Sequence, residues 1–262
     1  MKPSINDFRP LILIPCYNPG RRIETTVRDA TQADVPIWIV DDGSDEETRR
    51  RLAALESDHA ELRVIRHETN RGKGAAVLTG IQAALERGYT HALTMDADGQ
   101  HPAERIPAFI EAARQRPEAM ILGRPVFSED APALRVQGRK ISNFWANLET
   151  LWGGIGDSLF GMRVYPFEPL VRVMRQTHWM RRFDFDPEAA VRLVWLGVPA
   201  INLDAPVRYF DAQTDGVSHF HYARDNRLLI WMHLRLLAGF LWRLPRLLRR
   251  RLRGSNRDTT HG

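Results

Sequence analysis

Short apolar runs that end in polar residues alternate, along the first hundred positions, with stretches in which apolar residues recur every three or four. The runs are "LILIPCYN" from Leu11, "PIWIVDDGS" from Pro36 and "HALTMDAD" from His91. Their length and polar ends predict strands. Between them, roughly Ile23 to Gln32, Glu46 to Leu55 and Lys73 to Arg87 read as helices, the last with Val77, Ile81 and Leu85 on one face. Ser44 with Glu47 three residues on has the form of a capping box that starts the second helix. This alternation predicts an α/β fold with a mostly parallel sheet and helices on both faces. Ligands of such sheets bind beyond the carboxyl ends of the strands.

The polar clusters fall on that edge. In "MDADGQHP" (95–102), Asp96 and Asp98 stand one residue apart. On a strand they would point to the same side, and two converging carboxylates suit a hard divalent cation. A solvated acidic turn is the plain alternative. In "VDDGS" the neighbours Asp41 and Asp42 face opposite ways, so one is structural while the other faces a ligand. "NRGKG" is a Gly-flanked basic loop before a helix. Its backbone N–H groups, the helix N-terminus and Lys73, one of only three lysines in the chain, can face an anion. It is not a Walker loop, because the glycine spacing and the following Ser or Thr are missing.

The last part of the chain changes character. From Asp225 it reads "DNRLLIWMHLRLLAGFLWRLPRLLRRRLRG". Helical spacing gathers Arg224, Arg227, Arg235, Arg243, Arg246, Arg249, Arg250 and Arg253 within about 80° either side of Arg235. Leu234, Leu237, Phe240, Leu241, Leu244, Leu247 and Leu248 fall on the flanks and the opposite face. Arg227, Arg235 and Arg243 interrupt the apolar windows long enough to span a bilayer, so the expectation is a basic amphipathic helix lying in an anionic leaflet, with Trp231 and Trp242 at the interface. A helix docked on the body with its arginines outward is the alternative.

Composition adds limits. A chain of 262 residues, 44% hydrophobic, can bury one large core or two small ones, and nothing in it suggests disorder or repeats. The single Cys16 excludes an internal disulfide framework and a Cys-based zinc site. The stretch before Leu11 lacks the apolar run of a secretory signal, and a cytosolic location is expected. The net charge of +5 is lopsided: from Arg224 onward there are ten Arg against Asp225 and Asp258, which leaves the body net negative. A negative body argues against a nucleic-acid binder, the class the Arg-rich helix alone would suggest. A nucleotidyltransferase, which also uses acids at strand ends, is a further class to weigh.

Four ordered segments carry a resemblance: "IPCYNPG" (14–20), "VDDGSDEET" (40–48), "NRGKGAAV" (70–77) and "MDADGQHP" (95–102). Together they resemble the family 2 glycosyltransferases, especially the dolichyl- and polyprenyl-phosphate sugar transferase branch. The likeness is strong to about Glu104 and weaker through "DSLFGMRVYP" (157–166) and "FDFDPEAAVR" (183–192). It implies a GT-A fold, a nucleoside-diphosphate sugar donor, UDP- or GDP-linked, and Mg²⁺ or Mn²⁺. Carried over position by position, it implies that Asp98 and Asp96 serve the metal and the donor, with Gln100 and His219 as further metal-site candidates. Asp42 accepts from the nucleobase, Pro15 and Tyr17 line its pocket, and Arg71 and Lys73 meet the diphosphate. Pro19 stands where relatives commonly carry Glu. Arg124, Arg139 and Lys140 are candidates for an acceptor phosphate. Asp186 and Glu188 match an "FDxE" pattern and are catalytic candidates, a desolvated carboxylate being a suitable base for a hydroxyl acceptor; Pro187 at a helix start equally makes Glu188 a first-turn acid. The resulting expectation is metal-dependent, inverting sugar transfer to a membrane-held lipid, a polyprenyl phosphate or glycolipid-type acceptor. Transfer to a hydroxyl with Asp186 as base is the alternative. Residues 1–223 then form the catalytic domain, 224–253 the membrane-association helix on the cytoplasmic face, and 254–262 a disordered tail.

Overall fold

Four consecutive apolar residues, Leu11 to Ile14, are all fully buried, and their alternation divides them between two cores. Leu11 and Leu13 join one apolar cluster with Val40, Val77, Ile81 and Phe185; Ile12 and Ile14 join the other with Ile23, Val27, Ile39 and Phe109. A strand buried on both faces needs helices above and below it. The computed structural model, which describes residues 8–127, 133–208 and 222–258, supplies them.

The elements are β1 (Pro10–Cys16), α1 (Arg22–Ala30), β2 (Ile37–Asp41), α2 (Glu46–Asp58), β3 (Leu62–Arg66), α3 (Lys73–Leu85), β4 (His91–Thr94), α4 (Ile106–Gln115), β5 (Met120–Val126), α5 (Ala133–Glu149), β6 (Arg163–Pro166), α6 (Phe167–Arg175), α7 (Phe185–Leu196), β7 (Ala200–Pro206) and α8 (Tyr222–Asp258). They build a seven-stranded sheet in the order β3-β2-β1-β4-β6-β5-β7. Only β6 runs against its neighbours, pairing Thr94 with Arg163 and Leu122 with Arg163. The three expected strands and three expected helices are present, and the α/β expectation holds.

Two local expectations need correction. The cap of α2 is Asp45, whose side chain accepts from Thr48 N–H at 2.8 Å. Ser44 instead accepts from Asn18 N–H at 3.0 Å, tying the ends of β1 and β2 together. The acidic pair is not on a strand either: β4 stops at Thr94, and Asp96 and Asp98 lie in the turn beyond it. They come together through a turn in which Asp98 accepts from Gln100 N–H at 3.0 Å, not through the pleat.

The helix α8 continues through Pro245 and past Gly254. By length and composition Asp225–Leu252 is long and apolar enough to cross a membrane, with a mean hydropathy of 1.2 in its most apolar window, so its arginines do not break the apolar run as expected. One side of it packs on α5 and α7 through Met232, Leu236, Phe240 and Leu247.

Candidate functional site

The carboxyl end of β2 fixes the basic loop. Asp42 is buried and accepts from Arg71 N–H at 2.9 Å, Gly72 N–H at 2.6 Å and His67 Nδ1 at 2.8 Å. His67 is in turn bonded to Thr79 Oγ1 on α3 at 2.9 Å. Asp42 therefore holds the loop that starts α3, and its carboxylate is engaged three times over. Asp41 is buried with one oxygen on Ser44 N–H. Pro15 is half-buried and Tyr17 exposed at the end of β1, with Arg71 exposed on the loop.

Lys73, at the first turn of α3, reaches two carboxylates at once. Its ammonium lies 2.6 Å from Asp96 and 2.6 Å from Asp186. This joins the turn after β4 to the start of α7 across the sheet's edge. Burial disfavours the charged amine, but the Asp186 and Asp96 charges outweigh it and hold the Lys73 pKa above the usual lysine range. Burial likewise pushes the Asp96 carboxyl up, and the Lys73 charge reverses this to about 2. Space here is tight: a Cβ on Gly161 would sit 2.6 Å from Asp96 Oδ2 and 2.9 Å from Lys73 Nζ. Gly161 is thus required by close approach and not by a turn.

Asp98 differs from Asp96. Burial first, and then the neighbouring Asp96 charge, raise its carboxyl above the ordinary value. A raised acid beside another carboxylate marks negative charge that the protein leaves unmatched, which is what a divalent cation would relieve. The carboxylates of Asp96 and Asp98 with the amide of Gln100 make an all-oxygen set of the kind such a cation takes. Among the described residues no group of three or more His, Cys, Asp or Glu converges as a metal site. His219 lies outside the described residues.

His101 stands behind the pair. Its Nδ1 accepts from Asp96 N–H at 2.9 Å, which leaves the proton on Nε2, 3.6 Å from Asp96 Oδ2. Burial keeps its pKa below the usual histidine value in spite of the two acids. Arg163 is fully buried and donates to the carbonyls of Phe160, Asp186 and Asp157 and to Tyr165 Oη. It fastens the segment carrying Gly161 to the residue carrying the Asp186 carboxylate. His67, His101 and Arg163 were not expected to shape the site. Their signal was weak because each acts on a residue distant in sequence or on backbone.

Other candidates are drawn away. Glu188 is fully buried, paired with Arg192 at 2.7 Å and with Arg235 of α8 at 3.2 Å. With both guanidinium groups on its carboxylate, it ties α7 to α8. Arg124 is exposed and bidentate to Asp204, at 2.6 and 3.1 Å. Arg139 donates to the buried Asp157 at 2.7 Å, and only Lys140 is exposed without such a partner among the described residues.

On α8 the inward side is apolar and the arginines divide: Arg235 and Arg243 are half-buried, whereas Arg227, Arg246, Arg249 and Arg250 are exposed. Arg235 stacks 3.9 Å above the Trp179 ring while pairing with Glu188. Arg250 donates to the carbonyls of Val194 and Gly197 at the C-terminus of α7, where a cation is favoured. Beside the exposed arginines stand exposed apolar side chains, Ile230, Leu234, Leu241, Trp242 at 85% exposure, Leu248 and Leu252.

The comparisons with known proteins bear on this arrangement. Residues 11–174 match the model of glycosyl transferase family 2. The UDP-N-acetylglucosamine–dolichyl-phosphate N-acetylglucosaminyltransferase of Methanococcus voltae is 28% identical over 196 residues, 69% of this chain and 78% of that protein. The undecaprenyl-phosphate mannosyltransferase of Micrococcus luteus is 25% identical over 221 residues, 79% of this chain and 85% of that one. In structure, the glucosyl-3-phosphoglycerate synthase of Mycobacterium tuberculosis, solved with Mn²⁺, UDP and glucosyl-3-phosphoglycerate, superposes with a TM-score of 0.62 at 15% identity, covering 92% of this chain and 85% of the other. That likeness establishes the GT-A fold. With the family match spanning more than half of the chain, the protein belongs to glycosyl transferase family 2 and is a glycosyltransferase.

Proposed function

We propose that this protein transfers a sugar from a nucleoside-diphosphate sugar to the phosphate of a polyprenyl-type lipid held at an anionic membrane surface, on the cytoplasmic face and with inversion at the anomeric carbon. The observation that carries the proposal is the Lys73 ammonium set between Asp96 and Asp186, with the charge of Asp98 unmatched beside it. Mg²⁺ or Mn²⁺ held by Asp98, Asp96 and Gln100 would screen the charge that grows on the leaving diphosphate. Lys73 adds a fixed positive charge at the same edge, in place before reaction and needing no reorganisation. Asp42 and His67 hold the Arg71–Gly72 backbone, so the N-terminus of α3 is set to face an anion. Tyr17 and Pro15 offer an exposed wall for a nucleobase. The names of the M. voltae and M. luteus relatives support a lipid-phosphate acceptor, and the exposed apolar side chains of α8 support a membrane.

A phosphate acceptor is already anionic and requires no base. Asp186 then serves to position Lys73. The reading with a hydroxyl acceptor draws on one observation, that Asp186 Oδ1 is buried with no hydrogen-bond partner among the described residues. Thermal unfolding with UDP-, GDP- and CMP-linked sugars, with Mn²⁺ or with EDTA, tests the donor half. A metal-dependent rise in midpoint for one nucleotide, absent in Asp98→Ala, is expected. No rise with any of them overturns it. Transfer to a prenyl phosphate against the matching prenyl alcohol separates the two acceptors.

A further inference from the structure

Helix α8 is tied to α5 by more than apolar packing. His233, half-buried on α8, has Nδ1 3.0 Å from Glu149 Oε1 and Nε2 3.2 Å from Ser142 Oγ, both on α5. From Ser142 the hydrogen bonds continue to Ser158 Oγ at 3.0 Å, from Ser158 Oγ to Asn143 Oδ1 at 2.8 Å, and from Asn143 Nδ2 to Asp157 Oδ2 at 3.1 Å. Asp157 Oδ1 in turn accepts from Arg139 Nη1 at 2.7 Å. Glu149, Ser142, Ser158 and Asp157 are buried, so the chain of bonds runs through the interior. We propose that His233 is a positioning residue for the acceptor: through this chain it fixes Asp157, and with it the Arg139 guanidinium, where Arg139 meets the acceptor phosphate. The proposal rests on the lipid-phosphate reading given above and on Arg139 as a contact of that phosphate.

Counting hydrogens gives the chain a direction. The Asn143 amide has one orientation that fits its partners: Oδ1 accepts from Ser158 N–H at 2.7 Å, and Nδ2 donates to the Asp157 carboxylate. Ser158 O–H therefore donates to Asn143 Oδ1, and its oxygen accepts from Ser142 O–H. Ser142 has then used its one hydrogen, so its bond to His233 requires a hydrogen on Nε2. With Nε2 protonated, Nδ1 either donates to ionised Glu149 or accepts from the protonated acid, and one proton is held between the two. Burial raises the Glu149 carboxyl and favours keeping that proton, against the bond and charge of His233. The bonds thus all point from α8 toward Asp157, and aligned bonds in a buried setting strengthen one another.

Arg139 is where this order has its effect. Its Cζ lies 5.7 Å from the Phe127 ring centre and 6.0 Å from that of Phe160, and its side chain is 23% exposed. An arginine already held by Asp157 loses less rotamer freedom on meeting a phosphate than a free one. Asp157 also accepts from Leu159 and Phe160 N–H at 2.9 and 2.7 Å, in the segment that leads to Gly161 against Lys73 and Asp96. One buried carboxylate therefore sets Arg139 in register with the donor edge.

The test is steady-state transfer by the full chain to a soluble ten-carbon prenyl phosphate at saturating donor. His233→Asn keeps a polar group at the Nδ1 position, for Glu149, and none at Nε2; His233→Gln does the reverse. KM for the prenyl phosphate is expected to rise about ten-fold in His233→Asn and in Ser142→Ala, as for one misplaced charge-assisted contact, with kcat within about two-fold of native. The rise in unfolding midpoint given by nucleotide should stay as in the native chain. His233→Gln should keep a near-native KM although it leaves Glu149 buried without its partner and lowers the midpoint further than His233→Asn does. A merely structural role gives the reverse order, with KM following the loss of stability. Adding His233→Asn to Arg139→Gln should raise KM no further than Arg139→Gln alone, because both act through one contact. A native KM in His233→Asn, a KM that follows the midpoint, or full additivity in the double variant overturns the chain. A native KM in Arg139→Gln overturns Arg139 as the acceptor contact, and the proposal with it. No transfer to prenyl phosphate by the native chain overturns the lipid-phosphate reading itself.

Discussion

Two buried clusters of charge meet on α7, two residues apart, and they are built on opposite terms. At its start, Asp186 faces the sheet edge, where one ammonium, Lys73, serves Asp186 and Asp96 while Asp98 stands beside them. One step along, Glu188 faces α8 and meets Arg192 and Arg235, with Asp184 3.9 Å from Arg235 as the second carboxylate and Trp179 closing the ring of contacts. The second cluster is balanced within the protein; the first is not, and its Asp96 side chain remains 33% exposed. A closed cluster fixes one helix against another, whereas an open one is completed by what binds to it. The same residue type two positions apart thus acts once as scaffold and once as site.

The largest effect is expected where the open cluster is broken. Lys73→Met should lower kcat/KM about a thousand-fold, since a preorganised charge is lost where the diphosphate leaves. Single-turnover rates check this, and activity within ten-fold of native would show that Lys73 does not act there. Next comes the closed cluster: Glu188→Ala should cost about 3 kcal/mol in denaturant unfolding, because two half-buried guanidinium groups lose their shared partner. Glu188→Leu with Arg235→Leu should recover much of that loss, with kcat/KM for the donor close to native. Gly161→Ala, which crowds both Asp96 and Lys73, should reduce kcat/KM roughly ten- to a hundred-fold with little change in stability.

The smallest effect is on pH dependence. His101 and His91 have pKa values lowered by burial. Their contribution to stability is complete above the unfolded value of about 6.5 and is lost as pH falls through the lower folded values. Asp98 has the opposite sign: its folded pKa is raised, so its contribution is present below the unfolded value of about 3.9 and lost as pH rises through the folded one. Without metal, Asp98→Asn should therefore be somewhat more stable than native at neutral pH. Midpoints measured from pH 4 to 8 on both chains decide it.

The sequence made the open cluster legible and concealed the closed one. Lys73, Asp96 and Asp98 each sit where an apolar run meets a polar turn, a local pattern that marks the sheet edge. Gly161 gave no signal of its own, because only the fold reveals the two charges against its Cα. Glu188 and Arg235 are paired across 47 residues, and no period in either helix announces that. The helical wheel of α8 placed Phe240 and Leu247 opposite the arginines, and they are buried on the body, but it could not show that Arg235 would be drawn in by Glu188 or that Ile230, Leu234 and Leu241 would stay exposed. Asp42 was read as a ligand contact because the backbone donors that engage it belong to a loop almost thirty residues away.

The reversed strand β6 has a wider consequence. Because it alone runs antiparallel, the chain returns to the ligand edge at Gly161 and Arg163, after the whole excursion that carries β5 and α5. Contacts at that edge therefore join positions near 42, 73, 96, 161 and 186. No fragment ending before α7 contains them all. Donor binding should act as a reporter of whole-chain integrity, so that a limited-proteolysis fragment lacking the last third would retain helices but lose its response to nucleotide.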